Sequence, residues 1–273
     1  MSSSFERKDI LIVVKTYPVP SKKSIETVCT AGITDKGEWI RLYPVRYRYL
    51  REDQQYKLFT TINASVKKNS KDFRPESYNI DEDSIKVIGH LDSNKHLIQR
   101  QRWLLPLVKK SIEEIEEAYH KNNTSLAIFK PKEIIDFIVE EDDKDWTDSQ
   151  KASLGQTCLF DQASNEEIKS LKKVPYKFRC KFKCDDPNCK GHTLKIAMWD
   201  FNWAFFAYYN RYGSETEALK KLRDKWLSYF NADRDCYLIV GTTLPYDSFL
   251  IIGTFSIKRP IERAYQTSFL GNI

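Results

Sequence analysis

Cys180, Cys184, Cys189 and His192 follow one another with the spacing C-x3-C-x4-C-x2-H. Three thiols and one imidazole are a donor set for a tetrahedral structural zinc, because thiolate sulfur and neutral imidazole match that borderline-soft ion. The turn Asp185-Asp186-Pro187-Asn188 separates two half-sites, and Gly191 relieves crowding beside the last donor. Four protein donors leave no open position for water, so zinc held this way is structural rather than catalytic. A plainer reading competes with this one. Phe178, Cys180, Phe182 and Cys184 alternate with Arg179, Lys181 and Lys183, as the two faces of one strand do, with the thiols as small apolar side chains. Cys180 is the donor that the two readings contest.

Cations surround these donors. Lys177, Arg179, Lys181, Lys183 and Lys190 belong to a stretch, Lys169 to Lys195, in which nine Lys/Arg stand against two Asp. From Glu133 to Asp148 the balance reverses, with eight acids against one Lys, within a chain of net charge +6. Such asymmetry points to an anionic partner on one face, or to a solvated surface. A second group, Arg41, Tyr43, Arg46, Tyr47, Arg48 and Tyr49, interleaves guanidinium groups with aromatic rings. Rings of this kind stack on bases for about 1–3 kcal/mol each, while the arginines take phosphates. The plain alternative places the tyrosines in the core with their hydroxyls at the rim. Arg51 and Arg74 would lengthen the same groove. Together the two groups predict a nucleic-acid-binding protein, single strands favoured, with a zinc-pinned basic strand.

Two other function classes stay open. An enzyme, a metal-dependent nuclease or a nucleotide sensor, would need acids that converge only in three dimensions, with Asp200, Asp224 and Asp233 as the candidates. No GK[ST] phosphate loop, GxGxxG or G-x-S-x-G elbow occurs, and no H-x-E precedes a P-C-x-x-C. An adaptor, or a self-associating protein, would use Trp199, Trp203, Phe205, Phe206, Tyr208 and Tyr209 as an exposed aromatic patch rather than a buried helix face. His90, His96 and His120 have no acid or thiol paired with them in sequence. The acidic tract Glu140–Asp148 lacks the spacing and glycine of a calcium loop and reads as a solvated linker.

The elements that must hold these residues fall into an α+β arrangement. Asp9–Tyr17 is a buried strand stopped by Pro18 and Pro20, and Glu26–Thr34 and Glu38–Tyr43 form a hairpin about Asp35-Lys36-Gly37. Alternation continues through VRYRYLR and Tyr56–Val66, and Ser84–Leu91 gives a last strand. Closely spaced short strands with no helix between them predict a small OB-like barrel over residues 7–95. His96–His120 reads as one amphipathic helix started or kinked at Pro106, inside a connector over residues 96–173 that also holds a short helix at Ser164–Leu171. Residues 174–273 form a smaller α+β module with the zinc hairpin. Its order is two strands, helices at Asn202–Tyr212 and Glu215–Phe230 separated by Gly213, and a hairpin of Asp235–Thr242 with Phe249–Ile257. No run is long and apolar enough to span a membrane. MSSSFERKDI lacks a secretory core, and the scattered Cys29, Cys158 and Cys236 suit a reducing cytoplasm.

The residues Val28–Ile33 and Gly37–Arg41, within ILIVVK…ETVCTAGIT…EWIRLYPVRYR, resemble the opening of the dual-OB-containing bacterial proteins. Ile128–Phe137 (IFKPKEIIDF) resembles a strand entry of the same group. The likeness covers about the first 160 residues and implies an OB-type barrel, often associated with bacterial defence, without an assigned chemistry or catalytic residue. PYKF at Pro175–Phe178 and the pattern Gly241–Phe255 also resemble uncharacterised bacterial proteins.

Overall fold

The computed structural model describes residues 4–155, 171–187, 189–230, 233–243 and 248–259. Its first half comprises β1 (Glu6–Lys15), β2 (Val19–Ser21), β3 (Ile25–Thr34), β4 (Trp39–Val45), β5 (Thr60–Lys68), β6 (Ser77–Ile80) and β7 (Lys86–His90). From Ile10 to Val14 β1 is apolar without a break because both of its faces are covered there. Ile10 and Ile12 pack with Ile40, Leu42 and Ile62 inside the barrel, while Leu11 and Val13 pack outward into a second core. β1 pairs with β3 and β5, β3 with β4, β6 with β5, and β4 runs parallel to β6. This circuit is a closed five-stranded barrel of OB-like topology, with β2 and β7 appended to β3 and β5.

The alternating VRYRYLR is not a strand. Tyr47–Tyr49 makes a 3-10 turn, because the chain must cross from the end of β4 before β5 can begin. The predicted helix from His96 to His120 is likewise divided. Pro106 lies in a 3-10 turn that separates α1 (Leu97–Leu104) from β8 (Val108–Lys109), and α2 (Ile112–Asn122) starts afresh behind the cap Ser111.

The remaining elements are β9 (Leu126–Phe129), β10 (Glu133–Glu141), α3 (Asp148–Gly155), β11 (Tyr176–Lys183), β12 (His192–Lys195), α4 (Trp199–Tyr212), α5 (Glu215–Tyr229), β13 (Arg234–Thr243) and β14 (Ser248–Lys258). They build an α+β module with one sheet ordered β10-β11-β12 and another ordered β14-β13-β9-β8. Residues read as a connector therefore supply three strands to these sheets. Glu140 and Glu141, read as the start of a linker, end β10 opposite Lys177 and Tyr176. The expected short helix at Ser164–Leu171 lies outside the described residues apart from Leu171. Gly213 adopts φ +67 at the end of α4, a left-handed turn that glycine permits, and Ser214 caps α5 by accepting the N–H of Glu217. An aromatic core of Phe129, Phe137, Phe178, Phe182, Phe201 and Trp226 fills the module.

The barrel and the module share the second core. Leu11, Val13, Ala31 and Ile33 of the barrel pack with Leu126, Ile128, Ile239 and Ile252 of the module. A buried polar seam runs alongside. Arg41 donates to the carbonyl and hydroxyl of Ser125 at 3.1 Å, and Ser125 donates its N–H and hydroxyl to Glu76 at 2.8 and 3.1 Å. Gly241 on β13 leaves the room this needs, since a Cβ there would meet Ile252 at 2.7 Å and Arg41 at 3.3 Å. Arg74, in the connection from β5 to β6, pairs with Asp72 at 2.6 Å and donates to the Thr242 carbonyl at 3.0 Å. Among the described residues no helix is long and apolar enough to cross a membrane.

Candidate metal centre and basic surface

The tightest chemistry-bearing group lies where α2 meets the β11–β12 hairpin. Antiparallel pairing places Phe182 opposite His192, so Cys184, just past β11, comes back beside His192 at the start of β12, with Cys189 in the turn between. The Ser111 cap starts α2 against this turn, and the Ile112 N–H donates to Cys184 Sγ at 3.4 Å. Glu113, in the first turn of α2, thereby completes a set of four. One donor atom each from Glu113, Cys184, Cys189 and His192 lies within 4.8 Å of the others.

This donor set differs from the sequence expectation in one member. Cys180 precedes Cys184 by four residues on the same face of β11, roughly 13 Å away at about 3.3 Å per residue. It is fully buried in the aromatic core, where burial pushes its thiol up to about 12 against an opposing interaction with Trp226. Cys180 thus lies outside the group of four, and Glu113 stands where a third thiol was expected. Glu113 lies 79 residues before His192, so no local spacing could link it to the hairpin. The one sequence cue was the Ser111…Glu114 pattern that starts the helix.

Burial pushes the Cys184 thiol up to about 12, although the Ile112 N–H favours its thiolate. Burial also raises Glu113, but hydrogen bonds from its own backbone, Ser111 and His192 outweigh that and hold it at about 2. His192 Nε2 lies 2.8 Å from Glu113 Oε1, and the Cys184 N–H donates to Cys189 Sγ at 3.2 Å. Both sulfurs thus receive a backbone N–H, which stabilises the charged form that a metal requires. Two thiols, an imidazole and a carboxylate at this separation are compatible with a tetrahedral divalent ion, zinc foremost by ligand softness.

The predicted binding residues scatter. Arg41 is buried and engaged with Ser125 and with Cys29 Sγ at 3.1 Å, so the structure removes it from any phosphate-facing set. The Tyr47 hydroxyl donates to the Tyr56 carbonyl, and its ring packs edge-on against Tyr56 and Trp199, which is the rim position of the plain reading. Arg46 pairs with Glu82 at 2.9 Å, and Arg48 with the fully buried Glu26 at 3.1 Å. Tyr43 is exposed and Tyr49 half-buried. Of the two arginines proposed to lengthen the groove, Arg74 is buried in the seam and Arg51 pairs with Asp53 on the surface.

On β11 the acidic strand β10 answers the basic one. Lys177 pairs with Asp142 at 3.1 Å and Arg179 with Glu140 at 3.0 Å, so part of the basic run is matched by the acidic one. Lys181, Lys183 and Lys190 remain exposed and make no salt bridge among the described residues. Asp200, Asp224 and Asp233 do not come together as a metal-competent group among the described residues.

Residues 108–270 match the family model described as Domain of unknown function (DUF8757), more than half of the chain. The chain belongs to that family. Residues 6–106 match a second model, Domain of unknown function (DUF8758), which spans the barrel. The likeness to dual-OB proteins thus reduces to its coarser part, one OB-like barrel followed by an α+β domain. None of the curated proteins matches the chain.

Proposed function

We propose that this protein binds single-stranded nucleic acid through the basic side of the β11–β12 hairpin, held in place by a structural zinc on Glu113, Cys184, Cys189 and His192. The supporting observation is that Lys181, Lys183 and Lys190 stand exposed on the segment that carries three of the four donors. β11 is anchored by Phe178 and Phe182 in the core, but the turn after it carries little apolar surface, and a metal clamp would fix the lysines at that end at low entropic cost. Lys177 and Arg179, already paired with acids, flank the contact, and Tyr43, Tyr49, Arg46 and Arg48 are secondary contributors on the barrel. A role in bacterial defence rests on the dual-barrel resemblance alone.

Titrating a labelled single-stranded oligonucleotide at several salt concentrations tests the reading. The expected affinity falls with salt, with a log–log slope of about −0.7 for each phosphate neutralised. Absence of binding at low salt, or a flat slope, refutes it. A second reading, an adaptor, is favoured by Trp203, Tyr209 and Tyr212, which are 56%, 41% and 40% exposed on α4. Light scattering that shows a mass rising with concentration would support that alternative.

A further inference from the structure

A cleft of about 530 Å³ opens beside the metal centre, lined by Lys109, Lys110, Lys130, Lys132, Arg259 and Asp185. None of these residues belongs to the Arg/Tyr groove or to the basic strand. The fold brings them together. β8 and β9 run parallel, Val108 opposite Ile128 and Lys109 opposite Phe129, so both strands end at the same edge of the sheet. Lys109 and Lys110 leave β8 there, and Lys130 and Lys132 leave β9. β13 begins at that edge and β14 ends there, which adds Asp235 and Arg259.

The far wall is the metal-bearing hairpin itself. The Lys132 N–H donates to the Lys183 carbonyl at 2.9 Å, and Lys132 Nζ lies 3.4 Å from Asp185, the residue after Cys184. The cations are held apart by few acids. Asp235 serves both Lys130, at 2.6 Å, and Arg259, at 2.9 Å, while Glu114 serves Lys109 at 3.0 Å. Lys110 is exposed and makes no salt bridge among the described residues. Five cations against Asp185, Asp235 and Glu114 leave an excess of positive charge in a space of nucleotide size. Val108 and Pro131 give it an apolar floor.

We infer that this cleft is a phosphate-binding site, and that it holds the backbone phosphates of the nucleic acid that the hairpin approaches. The inference rests on the proposed function and names its seat. An incoming phosphate would take Lys110 directly, and would draw Lys130 and Arg259 away from their shared carboxylate. Asp235 is then a built-in competitor of the ligand.

The test uses the full-length, zinc-supplemented protein and fluorescence anisotropy with a labelled single-stranded oligonucleotide at low salt. Replacing Lys130→Gln and Lys132→Gln together should weaken binding about tenfold or more and flatten the salt slope by about 1.4, since each lost contact removes about 0.7. Asp235→Asn should tighten binding several-fold. Asp35→Asn, the same change of net charge at the exposed β3–β4 turn of the barrel, should leave binding unaltered. Circular dichroism and the thermal midpoint establish that each variant is folded, and the gain from Asp235→Asn cannot be produced by misfolding. Binding that survives the double lysine replacement but is lost on Lys181→Gln with Lys183→Gln overturns the cleft and leaves the proposed function standing. An unmodified protein that binds no oligonucleotide removes both.

Discussion

Cys180 and Cys184 have similar surroundings by sequence and opposite roles by position. Cys184 Sγ accepts the Ile112 N–H and has three other donors around it, whereas Cys180 has phenyl rings. Cys180→Ala should therefore keep one metal per chain by elemental analysis and cost only about 1 kcal/mol, the loss of one small buried apolar group. Cys184→Ala should lose the metal. Lys15 offers a second residue-scale measurement. Its ammonium sits 3.9 Å from the Tyr47 ring centroid and 5.2 Å from that of Trp199, and it donates to the Tyr56 carbonyl at 3.0 Å. Burial lowers its pKa from 10.5 to about 8, with Asp200 opposing. Because the folded value is the lower one, the unfolded chain holds more protons between these limits. The Lys15 contribution is therefore fully present above about 10.5 and is lost as pH falls through about 8. Stability relative to Lys15→Met, measured by urea unfolding, should rise from pH 8 to pH 10; a constant difference would contradict this.

The connection between β5 and β6 is the element through which the barrel grips the module. Arg74 is almost wholly buried there, with side-chain exposures of 7% for Arg74 and 10% for Asp72. Burial would raise the Asp72 carboxyl, yet the hydrogen bonds of Arg74 and Ser77 hold it at about 2. Replacing Arg74→Met strands this carboxylate and frees the Thr242 carbonyl, so a loss of about 3 kcal/mol is expected on chemical denaturation. Ladder contacts within the barrel do not depend on Arg74. A loss below about 0.5 kcal/mol, within the range of ordinary surface changes, would show that the seam contributes little.

At the scale of the molecule, the outer face of β3 and β4 is the important surface. OB barrels present that face to their ligands, but here Ala31, Ile33 and Arg41 are covered by Leu126, Ile128 and Ser125 of the module. This part of the barrel face is thereby packed against the second half rather than open as a groove. A single cooperative thermal transition with equal calorimetric and van't Hoff enthalpies should follow. Residues 6–106 expressed alone should aggregate, because Leu11, Val13 and Ile33 would be exposed together. Two resolved transitions would separate the halves.

Strands β1, β3, β4 and β5 of the barrel, the two C-terminal helices and the β13–β14 hairpin were legible because apolar periodicity and turn residues are local properties; β6, four residues long, was not. Cys184, Cys189 and His192 were legible for the same reason, since a strand, a turn and a return strand carry all three. What the amino-acid order could not disclose is anything made by approach across long separations. Glu113 reaches the hairpin only through α2 packing, and the acids of β10 meet the cations of β11 only through sheet register. The five cleft cations are drawn from the ends of three strands. Arg41 and Tyr47 look like ligand-facing residues until burial is known, because side-chain chemistry does not specify which face a partner element will cover. Tertiary packing alone decided that.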